Sequence, residues 1–245
     1  MLSDLATLSE LNVLCKYADD TDLIVPEKSD VSLEDEFANV CSWAKHNKMI
    51  INWSKTKELV FHKPNPRLSI TPKSIPGIEQ VLSAKLLGVN FRNNFKFDDH
   101  IKEIISICCQ RFYLLKQIKN QGLCLQKLDV IFQALIVSKI TYGLSAWGGF
   151  LTVHLKNKIN SLFKKAHRYN FTSKIFTIDE LLLQCDSTLF KKSQLPHHCL
   201  NQLLPPPPQS TSYNLRERGH DIMLTCVTSQ LFKKSFINRT LFQFK

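Results

Sequence analysis

Hydrophobic and polar positions follow two different periods along this chain, and the change between them falls near residue 97. Before it, short apolar runs at residues 11–15 and 23–25 bracket Tyr17-Ala18-Asp19-Asp20. Val13-Leu14-Cys15-Lys16 and Thr21-Asp22-Leu23-Ile24-Val25 read as the arms of a β-hairpin that carries the acidic pair at its tip. Residues 32–44 place Leu33, Phe37, Val40 and Ala44 on one face, the spacing of an amphipathic helix, and a strand is expected within residues 47–61. Pro64, Pro66, Pro72 and Pro76 punctuate residues 63–91, where Leu68-Ser69-Ile70-Thr71 and Ile78-Glu79-Gln80-Val81 alternate as short strands do.

Beyond Phe97 the period is helical. Ile101, Ile104, Ile105, Cys108, Phe112 and Leu115 predict one long helix ended by Gly122, a second is expected over residues 125–142, and a third over 153–169 with Leu155, Ile159, Leu162, Phe163 and Ala166 inward. Three such helices make a bundle. Thr177, followed by Asp179 and Glu180, caps a further helix to Cys185, with another over 188–193. Pro205-Pro206-Pro207-Pro208 and polar residues 209–212 read as a polyproline II linker. The piece that follows is too short for a core of its own, so it docks on the bundle, meets a partner or stays mobile.

Charge adds a partner class to this outline. The 245 residues are 44% hydrophobic, enough for one or two cored domains, and carry a net charge of +11. The excess is spread over pairs such as Lys55/Lys57, Lys116/Lys119, Lys164/Lys165 and Lys233/Lys234, a field that attracts phosphate backbones, although solvated helix faces are Lys-rich as well. Eight cysteines include no Cys-x-x-Cys. Cys15, Cys41 and Cys108 fall in apolar-periodic segments and read as reduced core residues. His197-His198-Cys199 with Cys185 and Cys226 is the one cluster open to zinc, at a spacing that matches no common structural site. The absence of an apolar leader and of any apolar run near 20 residues predicts an intracellular chain with no membrane span, in nucleus or cytoplasm.

An acidic pair at a turn is chemically specific only in context. Clustered carboxylates hold the divalent cations of phosphoryl transfer, yet such pairs also cap solvated turns. Here the context is a series of segments: Tyr17-Ala18-Asp19-Asp20; the helix after it; Asn47 followed by Lys55-Thr56-Lys57-Glu58 and Phe61; Lys85-Leu86-Leu87-Gly88-Val89; and, further on, Gln110-Arg111, Tyr113-Leu114-Leu115, Thr141-Tyr142-Gly143 and Ala146-Trp147-Gly148-Gly149. In this order they resemble the palm and thumb-like connection of non-LTR (LINE-type) retrotransposon reverse transcriptases, over about residues 11–171. Fragments at 213–220 and 235–242 resemble the C-terminal ends of such elements.

The resemblance implies an α+β fold: a partial polymerase palm over residues 1–92 (β-hairpin, helix, short strands), a thumb-like helical region over 93–171, C-terminal helices over 172–204, a Pro-rich linker at 205–212 and a tail at 213–245. It implies an RNA-directed DNA polymerase that takes Mg²⁺, or Mn²⁺, at Asp19 and Asp20, with Lys55 beside the departing pyrophosphate. Tyr17 would lie near the primer end, Lys85 and Gly88 would shape the primer grip, and Lys116, Lys119, Lys164, Lys165 and Arg168 would follow the phosphates of an RNA template and DNA primer. The fingers and the upstream strand bearing another metal-binding Asp have no counterpart in these residues, so the expected product is inactive alone and the missing N-terminal polymerase part is a candidate partner.

Each residue also has a plainer reading: a solvated turn for the acids, a bulge for Gly88, a solvated face for the lysines. For Trp147 the alternatives are a base stack or a core position. Three other functions stay open. A non-catalytic nucleic-acid binding module would bind with steep salt dependence, an interaction protein would need its tail, and an element relic would have no selected role.

Overall fold

The fold was described from a computed structural model, which describes residues 4–62, 72–207, 220, 222–227 and 229–244. It is mixed α+β. The expected strand at residues 68–71, Pro64, Pro66, the linker from Pro208 onward and the 213–219 fragment lie outside the described residues. The chain divides into two units, residues 1–84 with 92–94, and residues 85–91 with 95–245.

The first unit opens with an antiparallel hairpin of β1 (Val13–Tyr17) and β2 (Asp20–Ile24). Helix α1 (Leu33–His46) follows, started by Ser32, whose Oγ accepts from the Asp35 N–H at 3.1 Å. It ends in a Schellman motif in which Lys48, at φ 55°, sends the chain back and the Met49 N–H closes on the Ala44 carbonyl. The wholly buried Glu36 of α1 ties down the N-terminal residues. Burial alone would raise its carboxyl, but hydrogen bonds from the Asn12 side chain and from the Leu8 and Ser9 N–H groups outweigh that and hold it below its ordinary value. Strand β3 (Lys57–Leu59) pairs in parallel with β4 (Glu79–Val81). Between them the buried Glu58 accepts from the Ile75 N–H and the Gln80 amide.

Strands β5 (Ser83–Leu86) and β6 (Val89–Arg92) pair across the turn Leu87-Gly88. Both turn residues have positive φ, 44° and 84°, the sign pattern of a type I′ hairpin. The segment Lys85-Leu86-Leu87-Gly88-Val89, which the resemblance presents as one short strand, is therefore folded back on itself at Gly88.

The second unit is the helical bundle. Helix α2 (Asp98–Asn120) turns Ile101, Ile104, Cys108, Phe112 and Leu115 inward at spacings of three and four, each with 6% exposure or less. Full burial of an Ile, Leu or Phe side chain is worth about 1.5–3 kcal/mol, so this stripe alone outweighs any propensity term. Next come α3 (Leu125–Phe132), a π-helical turn (Gln133–Val137), α4 (Ser138–Thr141) and α5 (Leu144–Trp147). The wider π turn disturbs the carbonyl ladder, and Arg111 of α2 donates to the Leu135 carbonyl there. By length and composition the run Leu125–Phe150 could cross a membrane, which corrects the expectation that no stretch would reach that length. Within it Leu128, Phe132, Ile136, Ile140 and Trp147 are buried in the core, Leu125 and Val130 are exposed, and the run is broken at Tyr142 and Gly143, the latter left-handed at φ 60°.

Helix α6 (Val153–Arg168) is capped by Thr152. Helix α7 (Ile178–Ser193) is capped by Thr177 and runs unbroken through the point where two helices were expected, because Asp186 at that junction is buried and paired. Its partner is Arg239 of the C-terminal helices α8 (Gln230–Lys234) and α9 (Phe236–Gln243). Arg239 donates from Nε and Nη2 to both Asp186 oxygens at 2.8 and 2.9 Å, from Nη2 to the Ser145 carbonyl at 2.9 Å, and from Nη1 to the Lys234 carbonyl at 2.6 Å. Gly149 makes the room: a Cβ there would overlap the guanidinium and the Lys234 carbonyl. Of the three fates foreseen for the tail, α8 and α9 take the first and dock on the bundle.

Trp147 is fully buried with its indole N–H given to the Tyr142 carbonyl at 3.1 Å, so it is a core residue and not a stacking platform. Of the cysteines, Cys108 is buried and its thiol is pushed up to about 11 by burial, Cys41 is half-buried, and Cys15 is exposed, against the expectation of a core position.

Two stability predictions follow from the bundle. Arg239→Met should cost about 3–5 kcal/mol in denaturant unfolding by stranding the Asp186 charge, and adding Asp186→Leu should recover most of that loss. His100 is 3% exposed, edge-on to Trp147, and accepts at Nδ1 from the Asn90 N–H at 3.4 Å, which leaves the proton on an Nε2 with no acceptor among the described residues. Burial lowers its pKa from 6.5 to about 4. The unfolded chain therefore binds this proton first as pH falls. The bundle is fully stable with respect to this group above pH 6.5 and loses on the order of 3 kcal/mol between there and pH 4, a loss that His100→Phe should flatten in pH-dependent unfolding.

Candidate functional site

Residue chemistry gathers in two places, one in each unit. The first is the hairpin. Its register pairs Tyr17 with Asp20, Cys15 with Asp22 and Val13 with Ile24, so these six side chains share one face, while Leu14 and Leu23, also paired, share the other. The second face is the more covered one: Leu14 and Leu23 are half-buried, whereas Val13, Tyr17 and Ile24 are 48, 66 and 53% exposed.

Alternation along an extended chain predicts that Asp19 and Asp20 diverge. Asp19 occupies the second position of the two-residue turn and Asp20 the first of β2, so they point apart. The carboxylates that share a face are Asp20 and Asp22. Partial burial, and after it the Asp20 charge on the same face, raise the Asp22 carboxyl above its ordinary value. Asp22 was legible from its i, i+2 spacing to Asp20 in a predicted strand, and sequence reasoning passed over it. Among the described residues no group of three or more His, Cys, Asp or Glu is placed to hold a metal ion. Asp20 and Asp22 fall short of the ligand set that a two-metal centre requires, and the His197, Cys199, Cys185 and Cys226 cluster does not assemble either. Lys55, in the turn closed by its own N–H to Asn52, is exposed and forms no side-chain bond among the described residues.

Ala18, first in the turn, has φ 53°, a left-handed conformation that costs a residue with a Cβ roughly 1–2 kcal/mol. Strain of this kind collects where a turn is over-determined by its surroundings. Here it holds Tyr17 and Asp20 opposite one another at the end of the ladder.

The second place is where α2 and α6 end. Helix α6 stops in a Schellman motif, with Asn170 at φ 53° and the Phe171 N–H on the Ala166 carbonyl, which leaves Tyr169 45% exposed at the tip. Lys165 and Arg168 sit over the Tyr169 ring at 5.7 and 5.9 Å. Lys119, from the last turn of α2, donates to the Tyr169 carbonyl at 2.7 Å, where a cation also meets the negative end of the α6 dipole. Phe171 locks the corner from below, edge-on to both Tyr169 and Phe112. Three of the five predicted cations thus meet at Tyr169, two over its exposed ring and one on its carbonyl, with no carboxylate paired to Lys165 or Arg168 among the described residues. Tyr169 was missed, although a Tyr closing a basic helix was visible in the sequence.

The other predicted residues lie elsewhere. Lys116 is exposed one turn before Lys119 on α2. Lys164 faces away from the cluster into a groove between α6 and residues 175–177. Lys85 is paired with Glu103 of α2 at 2.6 Å, and Glu103 also accepts from the Asn90 amide at 2.6 Å. Gly88 serves the I′ turn, whose Leu87 carbonyl accepts from the Tyr142 hydroxyl at 2.8 Å.

The strained turn gives a test of the hairpin. Ala18→Gly should relieve the left-handed penalty and stabilise the β1–β2 ladder by about 0.5–1 kcal/mol, read as slower amide hydrogen exchange at Cys15 and Asp22, the next hydrogen-bonded pair inside the turn. Faster exchange would mean that Ala18 is not strained. Compared with protein-family models, curated proteins and solved structures, the chain matches none.

Proposed function

We propose that this chain is the C-terminal palm-and-thumb part of a LINE-type RNA-directed DNA polymerase, and that its own share of the work is to grip an RNA–DNA template–primer duplex. The observation that carries the reading is the cluster at Tyr169, with Lys165 and Arg168 over its exposed ring and Lys119 on its carbonyl. Cations on two helix ends, unpaired with acids among the described residues, suit the phosphates of a duplex read by shape. The aromatic ring adds a platform that tolerates any base or sugar.

The hairpin supports the same reading from its chemistry. It is a two-stranded sheet with neither edge paired to another described strand, and one face carries Asp20 and Asp22 between the exposed apolar Val13, Tyr17 and Ile24. A surface of that composition is half of a site: it offers two anionic ligands and an open edge to a strand that brings a third. In this reading Mg²⁺ binds only when that carboxylate is supplied, and nucleotidyl transfer by these residues alone is not expected.

Fluorescence anisotropy with a blunt RNA–DNA hybrid tests the grip. Binding should weaken steeply with salt, and Lys165→Ala with Arg168→Ala should reduce the logarithmic salt slope by about two, while Asp20→Asn leaves affinity unchanged. No binding at low salt, or binding that ignores salt, would sink the reading in favour of a protein-interaction role. Mg²⁺-dependent primer extension by the purified chain, lost on Asp20→Asn, would show instead that the catalytic set is complete.

A further inference from the structure

The groove holding Lys164 is a separate feature from the Tyr169 cluster. It encloses about 440 Å³ between one face of α6 and the segment that leads into α7. The α6 wall is polar: Asn157, Asn160, Ser161 and Lys164 recur at helical spacing along it. The facing wall is Ile175, Phe176 and Thr177, with Lys174 Nζ standing 5.5 Å over the Phe176 ring.

The hydrogen bonds within the groove leave it rich in donors. Asn160 Oδ1 already accepts from the Ile178 N–H at 2.9 Å and Thr177 Oγ1 from the Glu180 N–H at 3.3 Å, while the Ser161 hydroxyl is given to the Asn157 carbonyl at 2.8 Å. The two asparagine NH₂ groups and the Lys164 ammonium have no acceptor among the described residues, and no carboxylate lines the groove. The nearest acid on the α7 side, Asp179, is occupied by Lys156 at 2.6 Å. Asn160 also fixes the shape, because its bond to Ile178 joins the two walls.

Donors and a cation on one wall with apolar surface on the other match a ligand that is anionic at one end and flat or apolar at the other. The volume suits one small ligand and is far too narrow for a double helix. Lys164 and Lys165 are neighbours on α6, so the groove opens within one helical turn of the Tyr169 cluster. We propose that this groove binds a single nucleotide of an unpaired strand, its phosphate on Lys164 and the asparagine amides and its sugar or base against Ile175 and Phe176. This rests on the duplex-binding reading and extends it: a strand leaving the duplex at Tyr169 continues around α6 into the groove.

The test compares two probes on the full chain by fluorescence anisotropy, a blunt RNA–DNA hybrid and the same hybrid with an unpaired extension of about four nucleotides. The extension should tighten binding about five-fold or more. That ratio should fall to about one in Lys164→Gln and in Asn157→Leu, and also in Ile175→Glu, which places an acid on the opposite wall at an exposed position where folding is not at stake. Reading the ratio cancels any general loss of positive charge. An extension effect that survives all three substitutions would place the unpaired strand elsewhere and overturn the proposal, and so would a wild-type ratio of one with the blunt hybrid still bound. Failure to bind either probe would overturn this proposal together with the duplex reading on which it stands.

Discussion

A carboxylate with no exposure to water must have charged or hydrogen-bonding partners, and Asp186 sets that requirement at the centre of the helical unit. Arg239 meets it with a bidentate fork, and the same guanidinium reaches the Ser145 and Lys234 carbonyls. One side chain thereby ties together α5, α7, α8 and α9, elements that lie far apart in sequence. Gly149 is part of the same constraint, since any side chain there would displace the fork. Apolar burial stabilises α2 to α6 without help from the C-terminus, but α7 cannot bury Asp186 without it. The last helices are therefore structural members of the bundle.

The periodic parts of this architecture were legible in the sequence. Helix α2 lies where its stripe of Ile101, Ile104, Cys108, Phe112 and Leu115 predicts, because burial of that stripe dominates every competing term. Thr177 marks the start of α7 for a local reason, a hydroxyl that accepts one of the helix's unpaired N–H groups. What the sequence concealed depended on distant partners. Nothing near Asp186 indicates that it is charge-paired with a residue 53 positions away, and so the helix was divided there. The Leu87-Gly88 turn lies hidden in a segment that resembles a single short strand, since Leu is a poor turn former, and it is held by the Tyr142 hydroxyl, which only the fold brings near.

The candidate sites were legible in chemistry and less so in geometry. Adjacent acids catch the eye, yet a strand sends adjacent side chains to opposite faces, and it is Asp22 that joins Asp20. The basic pairs show the reverse effect. On a helix, neighbours such as Lys164 and Lys165 diverge by about 100°, so one enters the groove and the other covers Tyr169. Runs of like residues in sequence thus resolved into separate sites with separate surroundings.

The hairpin's open edges have a consequence for the chain's behaviour in solution. An unpaired strand rich in Val, Leu and Ile is a template for another copy, and proteins commonly protect such edges with charge. Here the charges on the two strands are Lys16, Asp20 and Asp22. The carboxylates of Asp20 and Asp22 also keep the edge soluble, so neutralising both of them removes a gatekeeper. Selection against self-association would then preserve this acidic hairpin even in a chain that had lost every catalytic use for it.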